Sequence, residues 1–417
     1  MTRTPAASAP RLVARTREIA DPGELVALLP AESPMAWLRR GEGMVAWGVA
    51  AECRTSGADR FTDAATWWRE VTSVADVQDD LEVPGSGLVC LGSFAFADEP
   101  GDSVLVVPRF LVGKRGDRCW LTTIGTGHET DHPAPGVAAQ PQPDAPTAVT
   151  FTDGSLSAAD WEGAVWEAVL RINAGEVDKV VLARDLVATA DREVDVRYPL
   201  GRLSREYDMC WSFSVDGLFG ATPEMLVRRE RGLVTSRVLA GTIRRTNDDE
   251  RDIALAATLA RSSKDLEEHE FAVRSVADAL APHCSSMNVP ESPFVLHLPN
   301  VMHLATDVTG VVHDGATLLD LAAALHPSAA VGGTPTKVAV QLIDEIEGMD
   351  RGRYAGPVGW MDAAGDGEFG IALRSAELSG NQVRLFAGCG IVADSDPEAE
   401  LAEAQAKFVP VRDALAG

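Results

Sequence analysis

Strand-length apolar runs joined by tight glycine turns constrain this chain more than any other feature. The run at 103–112 meets the run at 118–125 through Gly116-Asp117, and similar turns are predicted at Gly365-Asp366-Gly367 and Gly380-Asn381. Connections this short join antiparallel strands, because a parallel pair needs a crossover of a dozen or more residues. The sequence therefore predicts antiparallel hairpins. Two further Val-, Leu- and Phe-rich runs, at 44–53 and 87–96, are also predicted strands.

Predicted helices interrupt these strands. Ser157 is placed to cap a helix that ends near Gly175, and a strand follows at 179–190. The stretch 252–280 predicts one long helix, or two helices broken at Ser262-Ser263. Strands in hairpins that are separated by helices, without strict alternation, favour the α+β class. The apolar positions of the helix capped by Ser157 include Trp161, Val165, Val169 and Ile172. A later helix is predicted with Thr334 as its N-cap and Pro335 as its first residue, and it carries on one side Val338, Leu342, Ile343 and Ile346. A last helix is predicted from Pro397 to about Ala414.

A segment rich in Pro and Ala at 128–148 is predicted to be a loop or linker. It divides the chain into a β-rich N-terminal region, residues 1–127, and a longer part, residues 149–417. No catalytic constellation stands out in the first region, so it is interpreted as a structural support for the second. The organisation expected is one domain over residues 1–417 with its catalytic core at 149–417.

The net charge of −25 limits the partners of the protein. Nucleic acid is excluded as a partner, because phosphate binding needs clustered Lys and Arg. An anionic substrate would need local positive charge or a metal ion in its site to offset this field. No signal peptide or membrane span is recognised, and a cytoplasmic monomer is expected. The six scattered cysteines, predicted to be reduced and mostly buried thiols, are Cys53, Cys90, Cys119, Cys210, Cys284 and Cys389.

Two acidic pairs stand out on predicted helices. Asp265 and Glu268 are three residues apart on one helix, and Glu400 and Glu403 have the same spacing on another. Residues at this spacing share a helix face. If the two helices face each other, the four carboxylates form a site for a hard cation such as Mg²⁺. Such pairs are also common on solvated faces, so the spacing alone leaves both interpretations open.

Nine segments in a fixed order resemble the chorismate-utilising enzymes, a family that includes isochorismate, salicylate, anthranilate and aminodeoxychorismate synthases. The resemblance covers residues 155–410 and implies an α+β fold of stacked antiparallel β-sheets with flanking helices around a deep cleft. The segments are DKVVLARDL (178–186), GATPEMLVRR (220–229), LAGTIRR (239–245), SSKDLEEHE (262–270), MHLAT (302–306), HPSAAVGGTP (326–335), YAGPVGW (354–360), GIALRSAEL (370–378) and RLFAGCGIVADSDPEAELAEAQAK (384–407).

The resemblance assigns the acid–base chemistry to two residues. It implies that Lys179 is the general base, which takes a proton from the water that attacks ring carbon C2. Glu224 is then the general acid, which protonates the hydroxyl that leaves from C4. Water is a weak nucleophile and hydroxide a poor leaving group, so each needs proton transfer in the transition state.

The resemblance also implies a binding site for Mg²⁺ and chorismate. The metal ligands are Asp265, Glu268, Glu400 and Glu403; Asp265 stands where a glutamate is more usual, so it reaches the metal either directly or through water. Arg374 and Tyr354 match positions that hold the enolpyruvyl carboxylate, a suitable task for a guanidinium fork. The remaining substrate-binding positions are Gly241, Thr242, His303, Ala330, Gly388 and Lys407, with Gly390 beside them; the bare backbone at Gly388 and Gly390 could bring amide groups close to a carboxylate.

Within the family, the sequence favours isochorismate synthase, for menaquinone or siderophore biosynthesis. The small residue Ala330 is typical of these enzymes, and Lys179 suits a hydroxyl nucleophile, whereas the aminating relatives use ammonia and lack this base. No glutaminase subunit is therefore expected. The alternative is a salicylate synthase, which also eliminates pyruvate. A non-catalytic chorismate-binding relative is a remote alternative, because both the acid and the base are present.

Overall fold

A computed structural model describes residues 10–127, 137–246, 248–297 and 301–416. The strands are β1 (Leu12–Ile19), β2 (Met35–Arg39), β3 (Glu42–Thr55), β4 (Asp76–Gln78), β5 (Val89–Ser93), β6 (Ser103–Arg115), β7 (Arg118–Thr126), β8 (Val149–Asp153), β9 (Lys179–Ala190), β10 (Trp211–Val215), β11 (Leu218–Thr222), β12 (Met225–Glu230), β13 (Leu233–Arg244), β14 (Cys284–Asn288), β15 (Phe294–His297), β16 (Val301–Val312), β17 (Gly333–Thr334), β18 (Pro357–Asp362), β19 (Gly367–Ile371), β20 (Ser375–Ser379) and β21 (Gln382–Ile391). The α-helices are α1 (Arg60–Val74), α2 (Ala158–Asn173), α3 (Arg197–Glu206), α4 (Asp249–Leu259), α5 (Ser263–Leu280), α6 (Leu318–Leu325), α7 (Thr336–Ile346) and α8 (Pro397–Ala416).

The strands pair in two rows that share β6. The first row runs β4–β1–β7–β6–β3–β2–β10–β11–β20–β21–β9–β8. The second row runs β6–β5–β18–β19–β12–β13–β16, and β14 and β15 both pair with β16. The pairing is antiparallel throughout these rows, apart from the parallel pair β1–β4. The predicted antiparallel hairpins and the α+β class are confirmed.

One hydrophobic cluster connects the two rows face to face. Trp37 and Trp211 enter it from the first row, and Met225 and Val358 enter it from the second. Side chains from both rows share this buried space, so the rows stack as two sheets with the core between them. Helix α8 packs on β21, and α5 packs on β13. Each row therefore carries a helix that can contribute side chains to a site between the rows.

Several local predictions are confirmed. Strand β9 spans 179–190 as expected, and the Ser157 hydroxyl caps α2 by accepting a hydrogen bond from the Asp160 amide at 3.2 Å. The stretch 252–280 lies in two helices rather than one, and Ser262 caps the second of them. All six cysteines are reduced thiols, five of them buried.

The start of α7 differs from the prediction. Thr334 does not cap the helix, because it belongs to the two-residue strand β17, where it pairs with Lys179. Pro335 takes the N-cap position, and the helix begins at Thr336. Leu342 and Ile343 are buried as expected, whereas Val338 in the first turn is 38% exposed.

The predicted loop at 128–148 is only partly visible. Its residues 137–148 form neither helix nor strand, and residues 128–136 lie outside the described ranges. No helix in the described part of the chain is both long enough and apolar enough to cross a membrane.

Trp161 tests how α2 is held on the sheet. Its indole is fully buried and donates a hydrogen bond from Nε1 to the carbonyl of Ala183 at 2.9 Å. We expect Trp161→Phe to lower the free energy of unfolding by about 1–3 kcal/mol, because the buried carbonyl loses its donor. Trp166→Phe on the same helix is the control: Trp166 is 56% exposed, so its change should stay within about 0.5 kcal/mol. Equal losses in denaturant titrations of the two variants would contradict this account.

Candidate active site

A cavity of about 940 Å³ lies where strands of both rows approach each other. Strands β9 and β21 form one wall, β13 and β16 form another, and helices α5 and α8 border it. Of the fourteen residues predicted as catalytic, substrate-binding or metal-binding, only Glu268 is not placed, because its side chain lies outside the described part of the structure. The other thirteen line this cavity: Lys179, Glu224, Gly241, Thr242, Asp265, His303, Ala330, Tyr354, Arg374, Gly388, Glu400, Glu403 and Lys407.

Lys179 is positioned by strand pairing and by a neighbouring glycine. It is the first residue of β9, between β17 on one side and β21 on the other. Its side chain crosses the bare backbone of Gly390, where a Cβ atom would lie 2.8 Å from the lysine Cε and 3.3 Å from Nζ. The absence of a side chain at Gly390 therefore makes room for the lysine.

Glu224 lies in the short connection between β11 and β12 and is 7% exposed. Its carbonyl accepts a hydrogen bond from the Ile371 amide at 3.1 Å, which ties the connection to β19. Burial raises the pKa of its carboxyl to about 7, although the charges of Arg374, Lys179 and Lys407 act in the opposite direction. The group therefore keeps a substantial protonated fraction near neutral pH, as a general acid requires.

His303 and Thr242 face each other across β13 and β16. The imidazole Nδ1 and the threonine hydroxyl are 2.9 Å apart. Burial, together with the charges of Arg374 and Lys407, lowers the pKa of His303 to about 3, so the ring is neutral. Its Nε2 is buried without a hydrogen-bond partner among the described residues. This nitrogen is available to a bound molecule.

Arg374 and Tyr354 present polar groups at another part of the wall. Arg374 adopts a left-handed backbone conformation (φ 49°) between β19 and β20, and its carbonyl accepts from the Ala221 amide at 3.2 Å. Within the described ranges, its guanidinium has no hydrogen-bond or ion-pair partner. Tyr354 is buried and stacks on Phe386, with ring centroids 5.0 Å apart. An available guanidinium fork in this position suits a ligand carboxylate.

Carboxylates from two helices approach the cavity. Glu400 and Glu403 project from α8, while Asp265 on α5 packs against Gly241, where a Cβ atom would lie 3.2 Å from the aspartate Cβ. The ligand atoms of Glu400, Glu403 and Cys389 all lie within 4.8 Å of one another. The carboxylate oxygens of Glu400 and Glu403 are donors of the kind that Mg²⁺ prefers, so these two residues fit the predicted metal, whereas the Cys389 thiol is not a donor for it.

Lys407 is held by its neighbours on the cavity wall. Its ammonium contacts Glu403 Oε1 at 2.7 Å and donates to the Gly388 carbonyl at 2.8 Å. Burial alone would raise the pKa of Glu403, but the charge and hydrogen bond of Lys407, together with Arg374, lower it overall. Glu403 is therefore an ionised carboxylate, and Lys407 fixes its orientation.

The sequence interpretation missed Arg351 and Cys389 as site residues. Arg351 lines the cavity three positions before Tyr354, and only its adjacency to the segment YAGPVGW could have indicated it. Cys389 was assigned only as a buried thiol; its Sγ donates to the Glu400 carbonyl at 3.4 Å.

Acidic groups outnumber basic groups on the described cavity wall. Eight carboxylate side chains line it, against four Lys or Arg side chains. A dianionic ligand in such a cavity is strongly disfavoured unless a cation also binds. The carboxylates belong to Asp178, Glu224, Asp265, Glu267, Asp394, Asp396, Glu400 and Glu403, and the cations to Lys179, Arg351, Arg374 and Lys407.

Comparison with known proteins agrees with this geometry. The family described as "Chorismate binding enzyme" matches residues 32–416. The chain is 38% identical to the isochorismate synthase MenF of Bacillus subtilis over 274 residues, which cover 65% of this chain but only 58% of that relative. It is 32% identical over 406 residues to the salicylate biosynthesis isochorismate synthase of Pseudomonas aeruginosa, with 91% of this chain and 84% of the relative covered.

A solved structure shares the whole architecture. The menaquinone-specific isochorismate synthase MenF from Escherichia coli superposes with a TM-score of 0.82 at 26% identity, over 98% of this chain and 96% of that one. The fold that the sequence resemblance implies, stacked antiparallel sheets with flanking helices around a cleft, is confirmed.

Glu224 links the cavity to pH-dependent stability. Its pKa is raised from 4.5 to about 7 in the folded chain, so its contribution to stability is complete below pH 4.5 and is lost as pH rises to about 7. Glu224→Gln has no such loss. Without divalent cations, we expect the stability of the variant relative to wild type to rise by about 2 kcal/mol between pH 5 and pH 8. Denaturant titrations at both pH values measure this, and a pH-independent difference would contradict it.

Proposed function

This chain belongs to the family of chorismate-binding enzymes, and on that premise we propose that it is an isochorismate synthase. The reaction exchanges the hydroxyl position of the substrate ring, from C4 in chorismate to C2 in isochorismate. It is reversible and is of the isomerase type. The observation that carries the proposal is that one cavity contains both a lysine, Lys179, and a buried carboxyl group of raised pKa, that of Glu224.

Lys179 and Glu224 divide the proton transfers of this reaction. Water attacks C2 as its proton passes to Nζ of Lys179, and both ring double bonds shift by one position. The C4–O bond breaks as the Glu224 carboxyl protonates the departing hydroxyl, which leaves as water. One water is consumed and one is released, so atoms and charge balance, and proton exchange with solvent resets both residues.

The rest of the cavity provides groups for binding. The guanidinium of Arg374 and the hydroxyl of Tyr354 would hold the enolpyruvyl carboxylate. The lack of a partner for this guanidinium among the described residues supports that role. The neutral His303, held by Thr242, lies at the C4 side with its Nε2 available. Asp265, Glu268, Glu400 and Glu403 would hold Mg²⁺, which when bound supplies positive charge for the ring carboxylate in an otherwise acidic cavity.

Two features favour water over ammonia as the nucleophile. Lys179 is in the cavity as a base for water, and Ala330 leaves a small apolar surface in the loop that precedes β17.

We further propose that residues 1–417 act as one domain, without a glutaminase partner. The pairing of β2 with β10 and of β5 with β18, which joins the N-terminal strands to the catalytic part, supports the single domain. Isochorismate would serve menaquinone or siderophore biosynthesis.

Product analysis tests the proposed function. We expect purified protein with Mg²⁺ to convert chorismate to isochorismate, and the conversion to stop when the metal is chelated. Separation of the products by liquid chromatography measures both. Salicylate and pyruvate as the main products at neutral pH would instead identify a salicylate synthase. No consumption of chorismate at any metal concentration would refute both activities.

Gly390→Ala tests the role assigned to Lys179. The new methyl group would overlap the flexible end of the lysine, so the chain should fold while Nζ is displaced. We expect kcat to fall by on the order of 10²-fold, because small displacements of a catalytic group are this costly. Lys179→Ala should abolish turnover and leave Mg²⁺ binding unchanged. The control is Gly163→Ala, which adds the same methyl group to α2 in open space and should keep full activity. Normal turnover by Lys179→Ala would refute the mechanism.

A further inference from the structure

A buried ion pair lies in the cavity wall, which Arg351 itself lines. Glu347 and Arg351 are four residues apart just after the end of α7, and their side chains are 1% and 2% exposed. The guanidinium donates from Nε to Glu347 Oε1 at 2.7 Å and from Nη2 to Oε2 at 2.6 Å. The contact is therefore a bidentate fork with both partners removed from water.

The same two side chains bind the backbone of two other segments. Arg351 donates to the carbonyl of Val181 at 2.7 Å and to that of Val331 at 2.9 Å. Glu347 Oε2 accepts from the amide of Ala183 at 2.8 Å. Val181 and Ala183 belong to β9, which begins at Lys179, and Val331 follows Ala330. The ion pair thus contacts both segments that carry residues of the proposed chemistry.

The pair continues the edge of β9 where a strand ends. Strand β17 pairs with Lys179 and Val180, and the Val181 amide then donates to the Gly332 carbonyl at 2.9 Å. The next groups along this edge of β9 are the Val181 carbonyl and the Ala183 amide. They bind the side chains of Arg351 and Glu347 instead of backbone groups. The position of β9 relative to the loop at 328–332 is consequently set by Arg351 and Glu347.

Stability alone does not account for this arrangement. Burial of two charges costs several kcal/mol per ion, and replacement of such pairs by apolar residues is often neutral or stabilising. What an apolar pair cannot provide is a set of hydrogen bonds that fixes two backbone segments at defined positions. Arg351 is also fixed from behind, because its guanidinium lies 4.2 Å from the ring of Phe96. Its own carbonyl accepts from the Tyr354 amide at 3.0 Å.

We propose that Glu347 and Arg351 are positioning residues, which hold Lys179 and the Ala330 loop in the geometry needed for turnover. This inference rests on the proposed function. Neither residue takes part in proton transfer. Their role is to keep the start of β9 and the loop at 328–332 from shifting relative to Glu224, in the connection between β11 and β12.

Two variants test the proposal. Glu347→Gln keeps the shape of the side chain but replaces one of its two acceptor oxygens by an NH2 donor and removes the charge. The one remaining oxygen cannot accept from both arms of the guanidinium fork and from the Ala183 amide. Arg351→Lys keeps the charge, but one ammonium cannot span Glu347 and two carbonyls. For both variants we expect kcat to fall by about 10–10²-fold, with KM for chorismate within about twofold. In Glu347→Gln, hydrogen exchange at the Ala183 amide should become at least about tenfold faster.

Asp366→Asn is the matched control. Asp366 is also a buried carboxylate that pairs with one arginine, Arg229 at 3.1 Å, and accepts from one backbone amide, that of Arg231 at 2.8 Å. It lies in the turn between β18 and β19 and does not line the cavity. We expect its loss to lower the denaturation midpoint as much as Glu347→Gln does, while kcat per folded molecule stays that of wild type.

The outcomes separate this inference from the proposed function. Wild-type protein that does not consume chorismate refutes the function, and amide exchange at Ala183 then decides the anchoring of β9 alone. With an active wild type, unchanged kcat in Glu347→Gln or Arg351→Lys, or unchanged exchange at Ala183, overturns the proposal. Loss of the fold in both variants, or an equal loss of kcat in Asp366→Asn, would assign the pair a structural role only and would also overturn it.

Discussion

The antiparallel ladder between β9 and β21 is the interaction on which the rest of the site depends. It runs for ten residue pairs, from Gln382 opposite Thr189 to Ile391 opposite Val180. Successive side chains of a strand point to opposite faces, so a shift of the register by one residue would turn Lys179 away from the cavity and replace Gly390 beneath it by a larger side chain. The register also places the Gly388 carbonyl where it accepts a hydrogen bond from the Lys407 ammonium. Lys407 in turn contacts Glu403 on α8 and orients that carboxylate. One ladder thus sets the positions of the base and of a metal-site carboxylate.

Burial prevails over charge in the electrostatics of this cavity. Three cationic side chains act to lower the pKa of Glu224, yet its pKa is raised, because the carboxyl has lost its hydration. Glu403 shows the opposite balance: its side chain is 44% exposed, and a direct hydrogen bond from Lys407 adds to the charge and lowers its pKa. Two carboxyl groups in one cavity are thereby kept in different protonation states, one suited to donate a proton and one suited to bind a cation. Two differences separate them: Glu403 is more exposed, and it has a short contact with Lys407.

Predictions from sequence succeeded where local chemistry decides the outcome. The N-cap at Ser157, the bounds of β9 and the break before Ser263 follow from residues within a few positions. The start of α7 was misplaced because Thr334 pairs with Lys179, 155 positions earlier in the chain, and such pairing leaves no local signal. The site residues converge as the family resemblance implied, but the resemblance did not indicate Arg351. An acidic and a basic residue four positions apart usually form a solvated surface pair, so Glu347 and Arg351 carry no sequence sign of their burial.

The N-terminal region has a closer relation to the site than its composition indicates. None of its described residues lines the cavity, which agrees with its interpretation as a support. Yet Phe96, which lies 4.2 Å from the Arg351 guanidinium, also donates its amide to the Gly352 carbonyl and accepts a hydrogen bond from His326 at 2.9 Å. Burial lowers the pKa of His326 to about 4, so this imidazole is neutral and donates from Nε2. Phe96, which follows β5 in the N-terminal region, therefore contacts both ends of the segment that carries Ala330 and the arginine that binds β9. A support of this kind acts on geometry rather than on chemistry, which explains why it shows no catalytic pattern of its own.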